Sequence, residues 1–238
     1  MRTKTFHITA AIFTASVTLT AYAQGMGGSM TKDTPADAVP NPDPHMISGM
    51  WSMRGQTETV VPTLKPEYAD KVDTRNLSPS AARQGGTKAD ELCLPHGFFG
   101  GLGTYPTLIM QTGKQITLVN EENHRFRRIY LDGVHPKQLQ PSFAGHSIGR
   151  WQGDVLVVDT VGLRSRDGGT NLPGYHIIER IKKVANGKQL EIQVIYDSAA
   201  HAAPGRQTTL LNWRPDLHIQ EQVCEEFSDN FNESYKFK

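Results

Sequence analysis

Turn-forming groups of residues recur at short intervals from residue 107 of this 238-residue chain onward, and strand-like runs lie between them. The clearest are Gly153-Asp154 and Asn186-Gly187, and three others are Thr112-Gly113-Lys114, Asp132-Gly133 and Pro215-Asp216. Such residues form hairpin turns because Gly and Asn accept positive φ angles and Pro fixes its own φ. Since no long helical crossover separates the runs, the pattern predicts successive hairpins and an antiparallel meander.

The strand-like runs are numerous enough to close on themselves. One lies near residues 47–55, and the others are Thr107 to Gln111, Gln115 to Asn120, Arg125 to Leu131, His146 to Trp151, Val155 to Val161, Tyr175 to Val184, Leu190 to Tyr196, Arg206 to Trp213 and Leu217 to Glu225. About nine or ten such strands tend to form an up-and-down barrel, because closure removes exposed edges. We therefore predict a mainly β fold, an antiparallel up-and-down β-barrel over residues 47–238, with a helical turn or two between Leu64 and Asn76.

The N-terminus has the features of a secretory signal peptide. Arg2 and Lys4 precede a mostly apolar stretch, and Ala21-Tyr22-Ala23 offers a small-x-small cleavage site, so residues 1–23 are predicted to be removed. Residues 24–46 are rich in Gly, Ser, Met, Pro and Asp without apolar periodicity, which predicts a flexible tail. No later run is long enough to span a bilayer, so we expect an exported protein, periplasmic or extracellular.

Charge and cysteine content argue against two classes of function. Loss of Arg2 and Lys4 lowers the 25 basic residues to 23, against 24 acidic ones, and a net charge of −1 is not the footprint of a nucleic-acid-binding protein. Cys93 and Cys224 are predicted to form a disulfide, because disulfides persist outside the cytoplasm. No C-x-x-C motif or neighbouring His pair accompanies them, so a metal site at the cysteines is not expected. The alternative metal site, formed by His124, His146 and His176, has no two ligands at a short spacing and places His176 on a solvated face, so we expect no metal there, and we expect no cofactor.

The stretch GHSIGRWQGDVLVVDTVG (145–162) carries three polar residues within an apolar hairpin. If Gly153 and Asp154 are the central turn residues, His146, Arg150 and Asp159 share one face, with Asp159 diagonal to the other two. This predicts an ion pair between Asp159 and Arg150 and a hydrogen bond between Asp159 and His146. A three-residue loop would instead shift the register by one and move Asp159 to the other face.

The Asn186-Gly187 turn sets a second register, which pairs Glu179 with Val194 and Ile177 with Tyr196. Glu179, Tyr175 and Tyr196 then share an apolar, inward face, and His176 lies on a solvated face. A turn at Pro215-Asp216 would place a second acid, Glu221, on an apolar face with Leu210, Ile219 and Val223. The remaining histidines His124, His135 and His201 are expected in solvated loops.

Carboxylates inside a barrel are costly unless they are paired, hydrogen-bonded or protonated. One explanation is an internal ion network that joins Glu179, Glu221 and Asp159 to Arg150, Arg180, Arg127 or Arg128. The other is a cavity for a small, largely apolar molecule, with phenols among the candidates, contacted by Tyr175, Tyr196 and Glu221 and oriented at an anionic end by Arg150. The alternative function is a cofactor-independent lyase, isomerase or hydratase, with His146, Asp159 and Glu179 as its acid-base residues.

Two resemblances accompany these patterns. Gly49-Met50-Trp51 ahead of the meander, with Arg214 beside Trp213 near its end, resembles the G-x-W signature of lipocalin-type (calycin-type) barrels. The order of LCLPHGF, NEENHRFRRIYLDGVHP, GHSIGRWQGDVLVVDTVG, HIIERIKK and VCEEF resembles that of a group of secreted bacterial proteins of unknown function. The resemblances imply a lipocalin-like barrel and an exported protein, and they imply no mechanism.

Overall fold

A computed structural model describes residues 39–69, 105–121, 125–164 and 174–220. Within these ranges the chain forms one short helix, α1 (Pro66–Ala69), a single 3₁₀ turn (Ala185–Gly187) and eleven strands. The strands are β1 (Gly49–Val60), β2 (Thr63–Leu64), β3 (Thr107–Gln111), β4 (Gln115–Asn120), β5 (Arg125–Leu131), β6 (His146–Gln152), β7 (Val155–Val161), β8 (His176–Val184), β9 (Gln189–Asp197), β10 (His201–Ala203) and β11 (Gly205–Trp213).

Nine strands close into a barrel in the order β1, β11, β9, β8, β7, β6, β5, β4, β3 and back to β1. The predicted closed, mainly β barrel is therefore confirmed. Eight of its nine strand pairings are antiparallel, and the pairing of β5 with β6 is parallel. The predicted all-antiparallel, up-and-down topology is wrong at this pairing.

The pairing is parallel because the chain, after the end of β5, returns to the other end of the barrel before β6 begins. The connection, residues 132–145, is long enough for such a crossover. We call it the strap. Asp132 starts it with a φ of 55°, and its backbone N–H donates to Gly149 O at 2.9 Å. Ser142, near its end, forms a parallel bridge with Leu163, so the strap lies against the outer face of the barrel.

The registers of both central hairpins are confirmed. In β6 and β7 Ile148 lies opposite Asp159. Gly153 has a φ of 59° and Asp154 does not have a positive φ, as a type II′ turn requires. In β8 and β9 Glu179 lies opposite Val194.

The last predicted hairpin is not present in the described residues. Residues 217–220 form no strand, and Glu221 lies outside the described ranges. The strand before them, β11, pairs with β9 and β1 instead and closes the barrel. Leu211 faces the core and Leu210 does not, so the predicted inward position of Leu210 is wrong.

One end of the barrel is closed by the segment that precedes β1. Ile47 and Trp51 are buried there, and the Trp51 indole N–H donates to Ile47 O at 3.0 Å. The ammonium group of Lys183 donates to the carbonyl oxygens of three residues in this segment, which are Asn41, Asp43 and Met46. At the opposite end β2 and β10 form a separate two-stranded sheet.

The G-x-W segment meets the end of the last barrel strand. Trp51 lies opposite Trp213, and the backbone N–H of Arg214 donates to Met50 O at 2.8 Å. Gly49 has a φ of 138°, and a Cβ atom there would lie 3.0 Å from the Trp213 indole nitrogen. The first and last barrel strands therefore join through close packing around two tryptophans.

Candidate functional site

Glu179 on β8 is fully buried inside the barrel. It is paired with an arginine of β5, and the strands β6 and β7 lie between the two. Arg127 reaches from β5 to β8, where Nη1 donates to Glu179 Oε1 at 3.1 Å and Nη2 donates to Oε2. The same guanidinium donates from Nε to Ser147 Oγ at 3.0 Å and from Nη2 to Thr160 Oγ1 at 2.9 Å. Ser147 and Thr160 are hydrogen-bonded to each other at 2.9 Å. For Glu179, the explanation by an internal ion pair is confirmed.

His146, Arg150 and Asp159 lie on the outside of the barrel, so their predicted inward position is wrong. Strands β6 and β7 turn the other face inward, with Ser147, Val158 and Thr160 buried. The side chain of Arg150 is exposed, and it donates to Gly133 O in the strap at 3.2 Å rather than to Asp159. The strap covers this outer face, which explains why apolar residues occupy it as well.

The strap brings His135 onto this outer face and completes a group that we call the outer histidine cluster, formed by His135, His146, Asp159 and His176. Nδ1 of His135 lies 2.9 Å from Nδ1 of His146, and Nε2 of His135 lies 3.4 Å from Asp159 Oδ2. Nδ1 of His176 lies 3.7 Å from Asp159 Oδ1. The predicted hydrogen bond between Asp159 and His146 is thus replaced by a chain of contacts through His135.

Burial and a neighbouring charge lower the pKa of one member of this cluster, His146. The His146 ring stacks on Tyr130 with centroids 5.1 Å apart. Burial, and then the charge of His135, lower the pKa of His146 below its usual range. Because the two Nδ1 atoms are hydrogen-bonded, one ring donates and the other must keep its lone pair. Protonation of both rings would place two N–H groups against each other.

The cluster is not arranged as a metal site. Among the residues that the structure describes, no three His, Cys, Asp or Glu side chains are placed to hold a metal ion together. His135 directs its two ring nitrogens at different partners, His146 and Asp159, so they cannot point at one centre.

Tyr175, Tyr196 and His201 lie at the end of the barrel near β10. The Tyr196 ring covers Gly205 on β11 so closely that a Cβ atom there would overlap it, and the hydroxyl donates to Val60 O at 3.1 Å. Burial raises the pKa of Tyr175, and the proximity of Tyr196 adds to this shift. His201 packs edge-on against Tyr175 with centroids 6.4 Å apart.

The predicted solvated position of His201 is wrong. Its side chain is fully buried, with Nδ1 at 3.3 Å from Asp197 Oδ1 in a poor alignment for a hydrogen bond. Burial lowers the pKa of His201, and Asp197 partly opposes that shift. Its neighbours Ser198 and Ala200 are also buried, so the chain folds inward here rather than looping into solvent.

Several inward-facing residues of the barrel are not completely buried. Five of them lie on opposite walls and are each 4% to 8% exposed: Leu118 on β4, Arg127 on β5, Val194 on β9 and Gln207 and Thr209 on β11. Leu156, Val158 and Ile177, on β7 and β8, have no exposure. In the order of the barrel strands, β4 and β5 face β9 and β11. We call the space between these walls the interior pocket.

Gln207 carries an unmatched polar group on this pocket. Its Nε2 donates to Thr209 Oγ1 at 3.1 Å, whereas its Oε1 is buried without a hydrogen-bond partner. Sequence reasoning missed Gln207, although the alternation of β11 counted from Gly205, opposite Tyr196, leads to it directly. The turn at Pro215-Asp216, which we used to orient this strand, does not form a hairpin.

Five residues with predicted positions or roles lie outside the described ranges: His124, Glu221, Val223, Cys93 and Cys224. The role of Glu221 and the disulfide remain predictions. A comparison with protein-family models and with curated proteins found no match to this chain. No helix in the described ranges is long and apolar enough to cross a membrane. The function must therefore be argued from the geometry of the barrel.

Proposed function

We propose that this protein is an exported, lipocalin-like barrel that holds one small, largely apolar molecule in its interior pocket. The observation that carries the proposal is the residual exposure of inward-facing residues on two opposed walls, whereas Leu156, Val158 and Ile177 on the strands between them have none. A barrel of eight strands or slightly more has room for one small ligand. Such a site is lined mostly by apolar side chains, and a few polar groups orient the ligand.

The wall residues suit such a ligand. Leu118 and Val194 offer apolar surface, and the Tyr196 ring lies just beyond Gln207 on the adjacent strand. Arg150, which we expected to orient an anionic end, lies outside the barrel and cannot do so. The ligand contacts that we propose are therefore Leu118, Val194 and Gln207, with the aromatic ring of Tyr196 near them.

The lipocalin-like assignment and export are supported by different parts of the chain. The contacts of Trp51 with Trp213 and of Met50 with Arg214 join the ends of the barrel at the G-x-W segment. Export rests on the signal-peptide pattern of residues 1–23. N-terminal sequencing of the secreted protein should begin at Gln24, and retention of Met1 would contradict export.

The alternative function, a cofactor-independent lyase, isomerase or hydratase, lacks a suitable acid-base group in the described pocket. Glu179 is held by Arg127, and His146 and Asp159 lie outside the barrel. A general base must reach the proton that it removes. The geometry therefore favours binding over catalysis.

Native mass spectrometry of the full-length exported protein tests the proposal. We expect an additional mass of small-molecule size that disappears on denaturation. Val194→Phe should fill the pocket and remove that mass, whereas Gln193→Phe, an exposed outward position on the same strand, should retain it. If Val194→Phe does not fold, Leu118→Phe fills the pocket from the opposite wall.

Two results would overturn the proposal. The first is a wild-type spectrum without bound ligand together with no thermal stabilisation by apolar compounds. The second is unchanged ligand binding in a folded Val194→Phe or Leu118→Phe variant.

A further inference from the structure

The charges around the interior pocket are already balanced. Arg127 is the charged member of the five wall residues, and both of its terminal nitrogens donate to the carboxylate of Glu179. An anionic ligand would have to displace Glu179 from Arg127 and would leave a fully buried carboxylate without its partner. A cationic ligand would meet a carboxylate that is already neutralised. The described walls therefore disfavour both kinds of charge.

The hydrogen-bonding capacity of the pocket is not balanced. The Gln207 amide meets the Thr209 hydroxyl through one end and has no partner at its other end. A hydroxyl both donates and accepts, so Thr209 can pair with either end of the amide, and one end is left over in both orientations. Buried polar groups without partners are rare, and in a native protein each one calls for an explanation.

The neighbouring inward position on β11 determines which groups lie beside the Gln207 amide. The next inward position of β11 is Gly205, and the Tyr196 ring covers it. The Tyr196 hydroxyl donates to Val60 O and the residue is almost completely buried, so its ring closes the pocket beside Gly205. A polar group on the ligand thus finds the Gln207 amide, and an apolar group finds the side chains of Val194 and Leu118.

We propose that the interior pocket selects an uncharged molecule with a hydroxyl group on an apolar or aromatic body, and that the Gln207 amide recognises this hydroxyl. The inference rests on the proposed binding function and narrows its ligand class. A hydroxyl suits Gln207 because it can donate to Oε1 or, with the amide reversed, accept from Nε2. Gln207 is therefore a specificity-determining residue.

Three toluenes that differ in their para substituent test this selection at pH 7. They are p-cresol, which is neutral and carries a hydroxyl, p-xylene, which has no polar group, and 4-methylbenzoate, which is anionic. Affinities come from isothermal titration calorimetry or ligand-observed NMR with the full-length protein. We expect p-cresol to bind about three- to tenfold more tightly than p-xylene, the factor that one hydrogen bond provides. 4-Methylbenzoate should bind at least about tenfold more weakly than p-cresol, because its charge has no partner.

Gln207→Leu removes the recognising group and leaves the pocket apolar. In this variant p-cresol should bind no more tightly than p-xylene, and the ligand-free protein should unfold at a higher temperature than the wild type. Thr208→Val, on the outward face of the same strand, is the matched control and should preserve the preference for p-cresol. Gln207→Met, with a flexible side chain of similar volume, replaces Gln207→Leu if the latter does not fold.

The failures of the two proposals are distinguishable. Equal binding of p-cresol and p-xylene by the wild type, or tightest binding of 4-methylbenzoate, would overturn the selection by Gln207 and leave the pocket as a binding site. Binding of none of the three probes, together with a native mass spectrum that shows no ligand, would overturn the binding function itself.

Discussion

The interior ion network and the outer histidine cluster contain similar kinds of groups but differ in how completely those groups are satisfied. Inside the barrel, Arg127 donates from three nitrogens to Glu179, Ser147 and Thr160. On the outside, Asp159 Oδ1 and His135 Nε2 have no aligned hydrogen-bond partner, although the side chains of the cluster lie close together. Both atoms are buried although their side chains are partly exposed, so the outer cluster is less completely paired than the interior network.

The difference shows what each region contributes. The interior network connects four neighbouring strands, β5 to β8, and is almost completely buried, so its loss affects folding. The outer cluster joins the strap to β6, β7 and β8 through residues that remain partly exposed. We therefore expect large effects on stability from the first region and pH-dependent or small effects from the second.

The largest effect is expected for Glu179→Leu, which leaves Arg127 buried without its carboxylate. The variant should lose about 3 to 5 kcal/mol of stability, measured by urea unfolding. Adding Arg127→Met to Glu179→Leu should restore most of that loss, because the apolar pair leaves no buried charge. A single variant that is as stable as the wild type would show that the ion pair does not form.

Gly205→Ala tests whether the packing on the inner side of the barrel is as strict as its electrostatics. The new methyl group would overlap the Tyr196 ring and should cost about 1 to 3 kcal/mol, read from the shift in the urea midpoint. Gly55→Ala is the control, since nothing lies within 4 Å of a Cβ atom at that position. Equal stability of the two variants would contradict the close contact of Tyr196 with β11.

Acidification tests one histidine of the outer cluster, His146, and one histidine at the end of the barrel near β10, His201. His146 and His201 have a pKa below the ordinary value of 6.5 in the folded protein, so the unfolded chain binds protons first as the pH falls. Stability that is present above pH 6.5 is then lost as the pH falls through the lowered pKa of each group.

The slope of unfolding free energy against pH, measured below 6.5, should be shallower in His146→Gln and in His201→Gln. The double variant should have the shallowest slope, because the two residues lie in different regions. Slopes identical to that of the wild type in both single variants would refute the role of burial at these histidines.

The smallest effect is expected for Asp159→Asn on the outer face. Its partners His135 and His176 are 3.4 and 3.7 Å away and partly exposed, so the change should cost about 0 to 1 kcal/mol. Hydrogen exchange should become faster in the strap and remain unchanged in β8. A loss of stability close to that of Glu179→Leu would show that the two regions are not different in the way we describe.

Much of the barrel could be predicted because its hairpins are specified by neighbouring residues. The turns at Gly153-Asp154 and Asn186-Gly187 set the pairing of four strands, and alternation identified Glu179 as an inward carboxylate. Its partner Arg127 was one of four candidates, since nothing local relates residue 127 to residue 179.

The face of β6 and β7 could not be chosen in the same way. The run VLVVDTV has apolar residues on both faces, because one faces the core and the other is covered by the strap. The strap begins with Asp132-Gly133, which is equally suited to a hairpin turn. Contacts that are not local in sequence, such as those of His135 with His146 and Asp159, accompany the crossover, and no turn signal specifies them.

The seam between β1 and β11 has a consequence for the order in which the chain can fold. The strand that begins at residue 49 lies next to the strand that ends at residue 213. The parallel pairing of β5 with β6 also forms only after the strap has passed from one end of the barrel to the other. Contacts between such distant residues form slowly, since the loop between them must first be closed. During synthesis, β3 to β5 and β6 to β9 can each form local hairpins, but the wall stays open until β11 has emerged. Until then, two unpaired strand edges are exposed to other chains and depend on rapid completion or on chaperones.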